Sequence, residues 1–333
     1  MGRCCSSHAG TRVEMDENVP AKASINMVVG DRDLLEKKIA AIRMAGPQKL
    51  QFVSASMDTI YFTDEEKSMC INDSFSSLFV GKLILLLASH GLLQQGNPKY
   101  DAKRQQLYEY YHPLEYSPTI PIDEKTKLME EWWEKTHGLL VEGGLTYDAI
   151  QKSVANARIA FRDGVVELFE LLAKKGIPVL IFSAGLADVI EEVLRQKLHR
   201  SFTNIRIVSN RMVFDDDGRL VSFKGRTIHS LNKNEHALDM AAPLHDTLGD
   251  NDGPVNDNAS VKMRTNVLLL GDHIGDLRMS DGLNYDTRIS VGFLNDNIEG
   301  SIDCYSKSFD VVYLNDAPMS GVVELVAQLF PTE

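Results

Sequence analysis

Strand-length apolar runs alternating with helical patterns fill the second half of this chain, and no other feature constrains its fold so tightly. The pattern VVELFELLAKKG is an amphipathic helix closed by Gly176, and Pro178 opens the strand PVLIFSAG. The helix LADVIEEVLRQKL follows, then the strand IRIVSN, a hairpin around the DDDG at 215–218, and the strands NVLLLGD, ISVGFLN and DVVYLND. Apolar strands linked by helical crossovers imply a parallel sheet covered on both faces. Upstream, DRDLLEKKIAAIRMAGPQ reads as a helix stopped at Gly46-Pro47, and KLQFVS (49–54) as a short buried strand. Residues 100–160, including KTKLMEEWWEKTHGLL, read as helical throughout. The expected fold class is α/β, a Rossmann-like parallel-sheet core with an inserted helical cap. The expected division is a flexible tail over 1–25, core over 26–60, cap over 61–160, and the rest of the core over 161–333.

At ~150 residues per domain, 333 residues allow roughly two domains. The net charge of -12 argues against a broad footprint on nucleic acid. Small anionic substrates stay open, because a few donors in one cleft outweigh the global field locally. No protein partner is indicated. The longest apolar run, LFVGKLILLLA at 78–88, is interrupted by Gly81 and Lys82 and falls short of the ~20 residues of a membrane span. Cys4, Cys5, Cys70 and Cys304 form neither a disulfide framework nor a paired zinc motif, so a reducing, cytoplasmic setting is expected. Gly2 with Ser6 fits the myristoylation pattern and Cys4 and Cys5 could carry palmitate, a combination that tethers a protein to membrane stably. The same residues also read as a disordered tail with a chance match.

Ligands of open parallel sheets bind outside the carboxyl ends of the strands, so those ends are where chemistry is sought. PVLIF runs into Ser183-Ala184-Gly185 just before a helix, where a hydroxyl and backbone N–H groups suit an anion. An ordinary serine-capped turn is the alternative. NVLLL runs into Gly271-Asp272-His273-Ile274-Gly275-Asp276, and two carboxylates four residues apart suit Mg²⁺, a hard ion that takes oxygen ligands. The alternative there is a helix cap by one of the two. Lys233 alone reads as a surface lysine. In the segment 246–262, Asp250 and Asp252 lack calcium-loop spacing, and a solvated loop is expected.

Together, Ser-Ala-Gly after a strand, a downstream lysine and Gly-Asp-x-x-x-Asp resemble three motifs of haloacid-dehalogenase-type phosphatases. IPVLIFSAGLADVIEEVLRQ, FKGRTIH with NK, NVLLLGDHIGDLRMSDG, VGFLND, LEYSP and MEEWWEKTHGLL resemble the cytosolic 5'-nucleotidase III (pyrimidine 5'-nucleotidase) family. The resemblance implies Mg²⁺-dependent hydrolysis of nucleoside 5'-monophosphates through an aspartyl-phosphate. It assigns Asp272 to the metal, Asp276 to a water-bridging catalytic role beside it, and Ser183, Ala184 and Lys233 to the phosphate. Glu115 would recognise the base. Thr136 stands where a serine contributes to the site, and Ser117 replaces an aspartate. Trp132 and Trp133 resemble the branch that accepts 7-methylguanosine monophosphate, whose cationic base gains ~0.5–2 kcal/mol on an indole face. Trp133 would stack on the base or, equally, fill the cap core.

The sequence departs from the family at the first motif, where the strand KLQFV should lead into Asp-Phe-Asp-x-Thr. Read without a gap, Ala55 stands for the nucleophile and Met57 for the second aspartate; slipped by one, Asp58 falls on the second aspartate but Ser56 on the nucleophile. Neither register restores two carboxylates, so Asp58 is a weak catalytic candidate and little or no turnover is expected. A nucleotide-binding or regulatory protein of the same fold is the competing reading. The departure is confined to 54–89, and it reads either as an altered exon or gene model or as a genuinely divergent segment in which LFVGKLILLLA forms a buried helix.

Overall fold

The strand read from KLQFVS lies in the middle of the sheet, and its position decides where the site can be. In this computed structural model, the described residues are 27–55, 61–63, 98–115, 117, 119–157, 159–198, 202–233, 242–243, 264–281, 283 and 285–331. The expectations for the 1–25 tail, Gly2, Cys4, Cys5, Asp58, most of 54–89 and the 246–262 loop lie outside them.

The elements run β1 (Met27–Val29), α1 (Arg32–Ala45), β2 (Leu50–Ala55), β3 (Tyr61–Thr63), α2 (Pro98–Glu115), α3 (Ile122–Glu142), α4 (Tyr147–Asn156) and β4 (Ile159–Phe161). They continue as α5 (Val165–Lys174), β5 (Val179–Leu186), α6 (Ala187–Lys197), β6 (Ile205–Phe214), β7 (Leu220–Lys224), β8 (Ala242–Pro243) and β9 (Asn266–Gly271). A 3-10 turn over Ile274–Ser280 leads to β10 (Thr287–Leu294), α7 (Ile298–Ser308), β11 (Val311–Leu314) and α8 (Ser320–Leu329). The main sheet has the order β1-β11-β10-β9-β2-β5-β6-β7, with β8 also on β6. β11, β10, β9, β2, β5 and β6 are parallel, whereas β1, β7 and β8 are antiparallel additions at the margins. The α/β class therefore holds.

Local chemistry explains the boundaries. Asp31 caps α1 by accepting the Leu34 N–H at 2.9 Å, and Gly46 ends it at φ 84, a conformation costly for side-chain-bearing residues. Successive residues of β2 serve opposite faces of the sheet: Leu50 and Phe52 join the apolar cluster formed with α1, α5, α6 and α8, while Val53 and Ala55 join the one containing Phe182, Val208, Met279 and Phe309. Burial on both faces is why these strands read as unbroken apolar runs.

The region expected to be helical throughout is broken into α2, α3 and α4, and ends in β4, which pairs antiparallel with β3. The breaks fall at Pro121, which starts α3, and at Gly143-Gly144, with Gly144 at φ 68. Tyr108 and Tyr111 of α2 and Met129, Trp132 and Trp133 of α3 form a separate apolar cluster, against which Ala184 and Leu231 of the sheet side pack. Ile150 and Val154 of α4 instead join the larger cluster with Val189 and Ile190 of α6. Among the described residues, no helix is long and apolar enough to cross a membrane.

Candidate active site

β2 is the point at which the connections reverse direction, so the crevice at its carboxyl end is the expected ligand site of the sheet. Ala55 pairs with Phe182 of β5, and Ser54 with Leu270 of β9, so the three strands end nearly level. Segments far apart in sequence are delivered to one rim.

β5 runs on through Ser183, Ala184 and Gly185 to Leu186, close to the strand PVLIFSAG read from the sequence, but not as regular ladder. Phe182 pairs with Val208 and the next pairing is Leu186 with Asn210, so Ser183, Ala184 and Gly185 oppose the single residue Ser209. They form a bulge that stands out of the ladder, a device common beside active sites. α6 begins only at Ala187. The anion donors expected from a helix start therefore sit on a bulge one residue earlier. The Gly185 N–H donates to Ser183 Oγ at 3.0 Å, which leaves the hydroxyl hydrogen available to an outside acceptor. The Trp133 indole N–H donates to the Ala184 carbonyl at 2.7 Å, and the Ser209 hydroxyl to the Gly185 carbonyl at 2.8 Å.

The lysine segment is shaped by its own polar side chains. Asn232 Oδ1 accepts the His229 N–H at 2.7 Å, and its Nδ2 donates to the Thr227 carbonyl at 2.8 Å. Lys233 leaves this turn with Nζ 3.7 Å from Asp276 Oδ1, and both side chains are nearly buried, at 11% and 8% exposed. Lys233 is thus no surface lysine. His229 is fully buried, and burial lowers its imidazole to about 4. Its Nδ1 accepts the Leu231 N–H at 3.3 Å, which puts the proton of the neutral ring on Nε2.

At the end of β9, Gly271 is required by close approach: a Cβ there would lie 2.7 Å from the Cβ of Asp276. Asp276 Oδ2 accepts the N–H groups of Asp272 at 3.2 Å and His273 at 2.9 Å, while His273 Nδ1 accepts the Gly275 N–H at 3.0 Å. Of the two readings left open by the sequence, Asp276 thus supplies the cap of the turn, and its other oxygen faces Lys233. Tyr305 on α7 donates its hydroxyl to the Asp272 carbonyl at 2.8 Å, fixing the loop from behind.

Across the crevice, Glu115 ends α2. Burial pushes its carboxyl above the usual range, and the Ser230 hydroxyl, Lys233, His273 and Lys125 pull against that rise. The helical layer and the sheet rim therefore face one another through Glu115 and Lys233. Ser117 bonds the Thr119 hydroxyl at 3.0 Å, and its carbonyl accepts from Lys125 Nζ at 2.8 Å. Thr136 is buried with its hydroxyl donated to the Trp132 carbonyl at 2.9 Å, within its own helix. Trp132 stacks on Tyr111, and Trp133 is buried against Ala184 rather than open to the crevice. The structure therefore sets Lys233 against Asp276, puts Glu115 within electrostatic reach of Lys233 and His273, keeps Ser183 on the bulge at the end of β5, and leaves Thr136 turned inward.

Asp272 is half-buried at the rim, and the Asp276 oxygens are already engaged. No cluster of three or more histidine, cysteine or acidic side chains that could hold a metal occurs among the described residues. One rim carboxylate fits a hydrated Mg²⁺ that shares its sphere with a bound phosphate, but not a cage made of protein alone.

Ser209 and Asn210, whose side chains hold carbonyls of the bulge, are polar positions inside β6, which continues to Phe214, so no strand-end signal in the sequence points to them.

This sheet order, with serine, lysine and paired aspartates on the rim around β2, is the arrangement of a haloacid-dehalogenase-type phosphatase. Residues 81–330 match the model of the pyrimidine 5'-nucleotidase (UMPH-1) family, and the chain belongs to that family of phosphatases. It is 34% identical over 305 residues to 7-methylguanosine phosphate-specific 5'-nucleotidase A of Xenopus laevis, covering 89% of this chain and 94% of the relative. With the human 7-methylguanosine phosphate-specific 5'-nucleotidase it shares 30% identity over 316 residues, 95% of this chain and 96% of the relative. Among solved structures, cytosolic 5'-nucleotidase IIIB bound to cytidine aligns with a TM-score of 0.69 and 28% identity, over 93% of this chain and 95% of that one.

Proposed function

We propose that this chain is a Mg²⁺-dependent 5'-nucleotidase in kind, taking pyrimidine or 7-methylguanosine 5'-monophosphates, in which binding is retained and turnover is slight or absent. The observation that carries the reading is the nearly buried Lys233 ammonium, 3.7 Å from Asp276 and within electrostatic reach of Glu115, on a segment that Asn210 ties to the Ser183 bulge. An ammonium desolvated there is placed to receive a phosphoryl group, with the Ser183 hydroxyl donating to a second oxygen. Glu115 then accepts from the base, and α2 and α3 act as a cap over it. Mg²⁺, held by Asp272 and the substrate's own oxygens, would offset charge on the phosphoryl group.

The attacking group is where the reading turns. Ala55 closes β2 with its methyl fully buried, and a methyl cannot attack phosphorus. Without a carboxylate there, the donors bind the monophosphate but have no covalent step to assist. The pyrimidine 5'-nucleotidase family match covers residues 81–330 and does not reach this strand.

Calorimetry with CMP, UMP and 7-methyl-GMP in Mg²⁺, run beside a phosphate-release assay, tests both halves. Binding that weakens at least 10-fold in Lys233→Ala, with release near the enzyme-free rate, is the expected result. Absence of binding sinks the nucleotide reading. Robust release abolished by Asp58→Asn sinks the claim of slight turnover and makes Asp58 the catalytic acid.

A further inference from the structure

Asn210, in the middle of β6, touches both halves of the rim. Its Nδ2 donates to the Ala184 carbonyl at 2.8 Å, the Gly185 carbonyl at 3.1 Å and the Ile228 carbonyl at 2.8 Å. Its Oδ1 accepts the Ile228 N–H at 2.8 Å. The side chain is 2% exposed, and its orientation is chemically determined, since three acceptors lie on one side and a donor on the other. We infer that Asn210 is a positioning residue for phosphate recognition, tying the Ser183 bulge to the Lys233 segment and turning the bulge carbonyls away from the anion.

The argument begins with the bulge. A loop leaving a ladder frees carbonyls as well as N–H groups, and a carbonyl aimed at a phosphate repels it. Here the Ala184 carbonyl is held by Trp133 from α3 and by Asn210, and the Gly185 carbonyl by Ser209 and by Asn210. Both negative ends are therefore drawn toward β6 and the helical layer. Two amide protons serve three carbonyls, so the contacts are shared and depend on one another. The Ile228 bonds extend the same clamp to the segment just before the turn that delivers Lys233. One buried amide thus links the bulge that carries Ser183 to the segment that leads to Lys233. The inference rests on the reading that these two groups hold a phosphoryl group, and it adds a residue outside the phosphate contacts themselves.

Asn210→Asp keeps the volume and the acceptor for Ile228 but places a carboxylate oxygen against three carbonyls. Inorganic phosphate, CMP and cytidine are titrated calorimetrically into the wild type and this variant in Mg²⁺, with thermal melts to verify folding. The expected result is at least a 10-fold loss of affinity for phosphate and CMP, with cytidine affinity changed less than 2-fold. A general loosening of the fold would weaken cytidine as well. If Asn210→Asp fails to melt cooperatively, Ser209→Ala and Trp133→Phe, each removing one donor to the bulge, are read by the same split, with about a 3-fold phosphate loss expected. A folded Asn210→Asp that binds phosphate like the wild type overturns the inference and leaves the phosphate reading standing. So does an equal loss for cytidine. A wild type that binds neither phosphate nor CMP overturns the phosphate reading and this inference with it.

Discussion

His229 illustrates how a residue with no exposed surface shapes the site beside it. It precedes Lys233 by four positions and supports the same turn through its N–H and Nδ1. Its pKa falls from 6.5 in an ordinary setting to about 4 in the fold, because burial disfavours the imidazolium. A depressed folded pKa means that stability is present above about 6.5 and lost as pH falls through the folded value near 4. The full shift corresponds to about 3 kcal/mol at most. His229→Gln keeps an acceptor for Leu231 and cannot charge. Urea titrations at pH 7 and pH 4.5 are expected to show wild-type stability falling about 2 kcal/mol further than that of the variant. Parallel losses would show that another group governs the acid limb.

At the scale of elements, the short 3-10 turn after β9 depends on a glycine for the approach of its own cap. Gly271→Ala would put a Cβ 2.7 Å from Asp276 Cβ and 3.0 Å from Oδ2, so the strand end or the turn must shift. The expected outcome is loss of the two N–H bonds to Asp276 and displacement of its contact with Lys233, with destabilisation of about 1–3 kcal/mol. Denaturant midpoints measure the first effect and phosphate affinity the second; an unchanged affinity would separate the cap from the site. The sequence announced this element, since Gly-Asp-x-x-Gly-Asp after an apolar strand is a local pattern. It also announced α1, α5, α6 and the inner strands, where periodicity and glycine or proline stops agree. It did not announce β1, whose three residues gain their identity only by pairing with β11. The bulge in β5 was hidden for the same reason: SAG looks like a turn until β6 runs alongside it. Lys233 and Asn210 became informative only through tertiary contacts, which no local spacing encodes.

For the molecule as a whole, the proposal that the rim lacks one member has a constructive test, because its parts are held by the sheet and not by one another's chemistry. Ser183, Lys233 and Asp272 reach the crevice through β5, the turn near β6 and β9, and β2 contributes only its end. Replacing the β2 residue should therefore restore a function without rebuilding the site. In the ungapped register, Ala55→Asp with Met57→Asp supplies a nucleophile and an acid for the leaving group. In the slipped register, Ser56→Asp with the native Asp58 supplies the same pair. The two differ physically, because neighbouring positions of an extended strand face opposite sides of the sheet. Ala55 already ends the ladder opposite Phe182, level with the serine bulge and the β9 turn, so the ungapped pair is expected to be the productive one. Burying a carboxylate at position 55 costs stability of about 1–3 kcal/mol, and Lys233 across the rim offsets part of it. Phosphate release from CMP or 7-methyl-GMP in Mg²⁺ should rise at least 100-fold over the wild type for Ala55→Asp with Met57→Asp, and stay near the wild-type rate for Ser56→Asp, in line with the ~10²–10⁴-fold contributed by a positioned acid. The reverse ranking would place the first motif one residue later. No gain from either folded variant would mean that the lysine, the serine bulge and Asp272 do not surround a phosphoryl group at all.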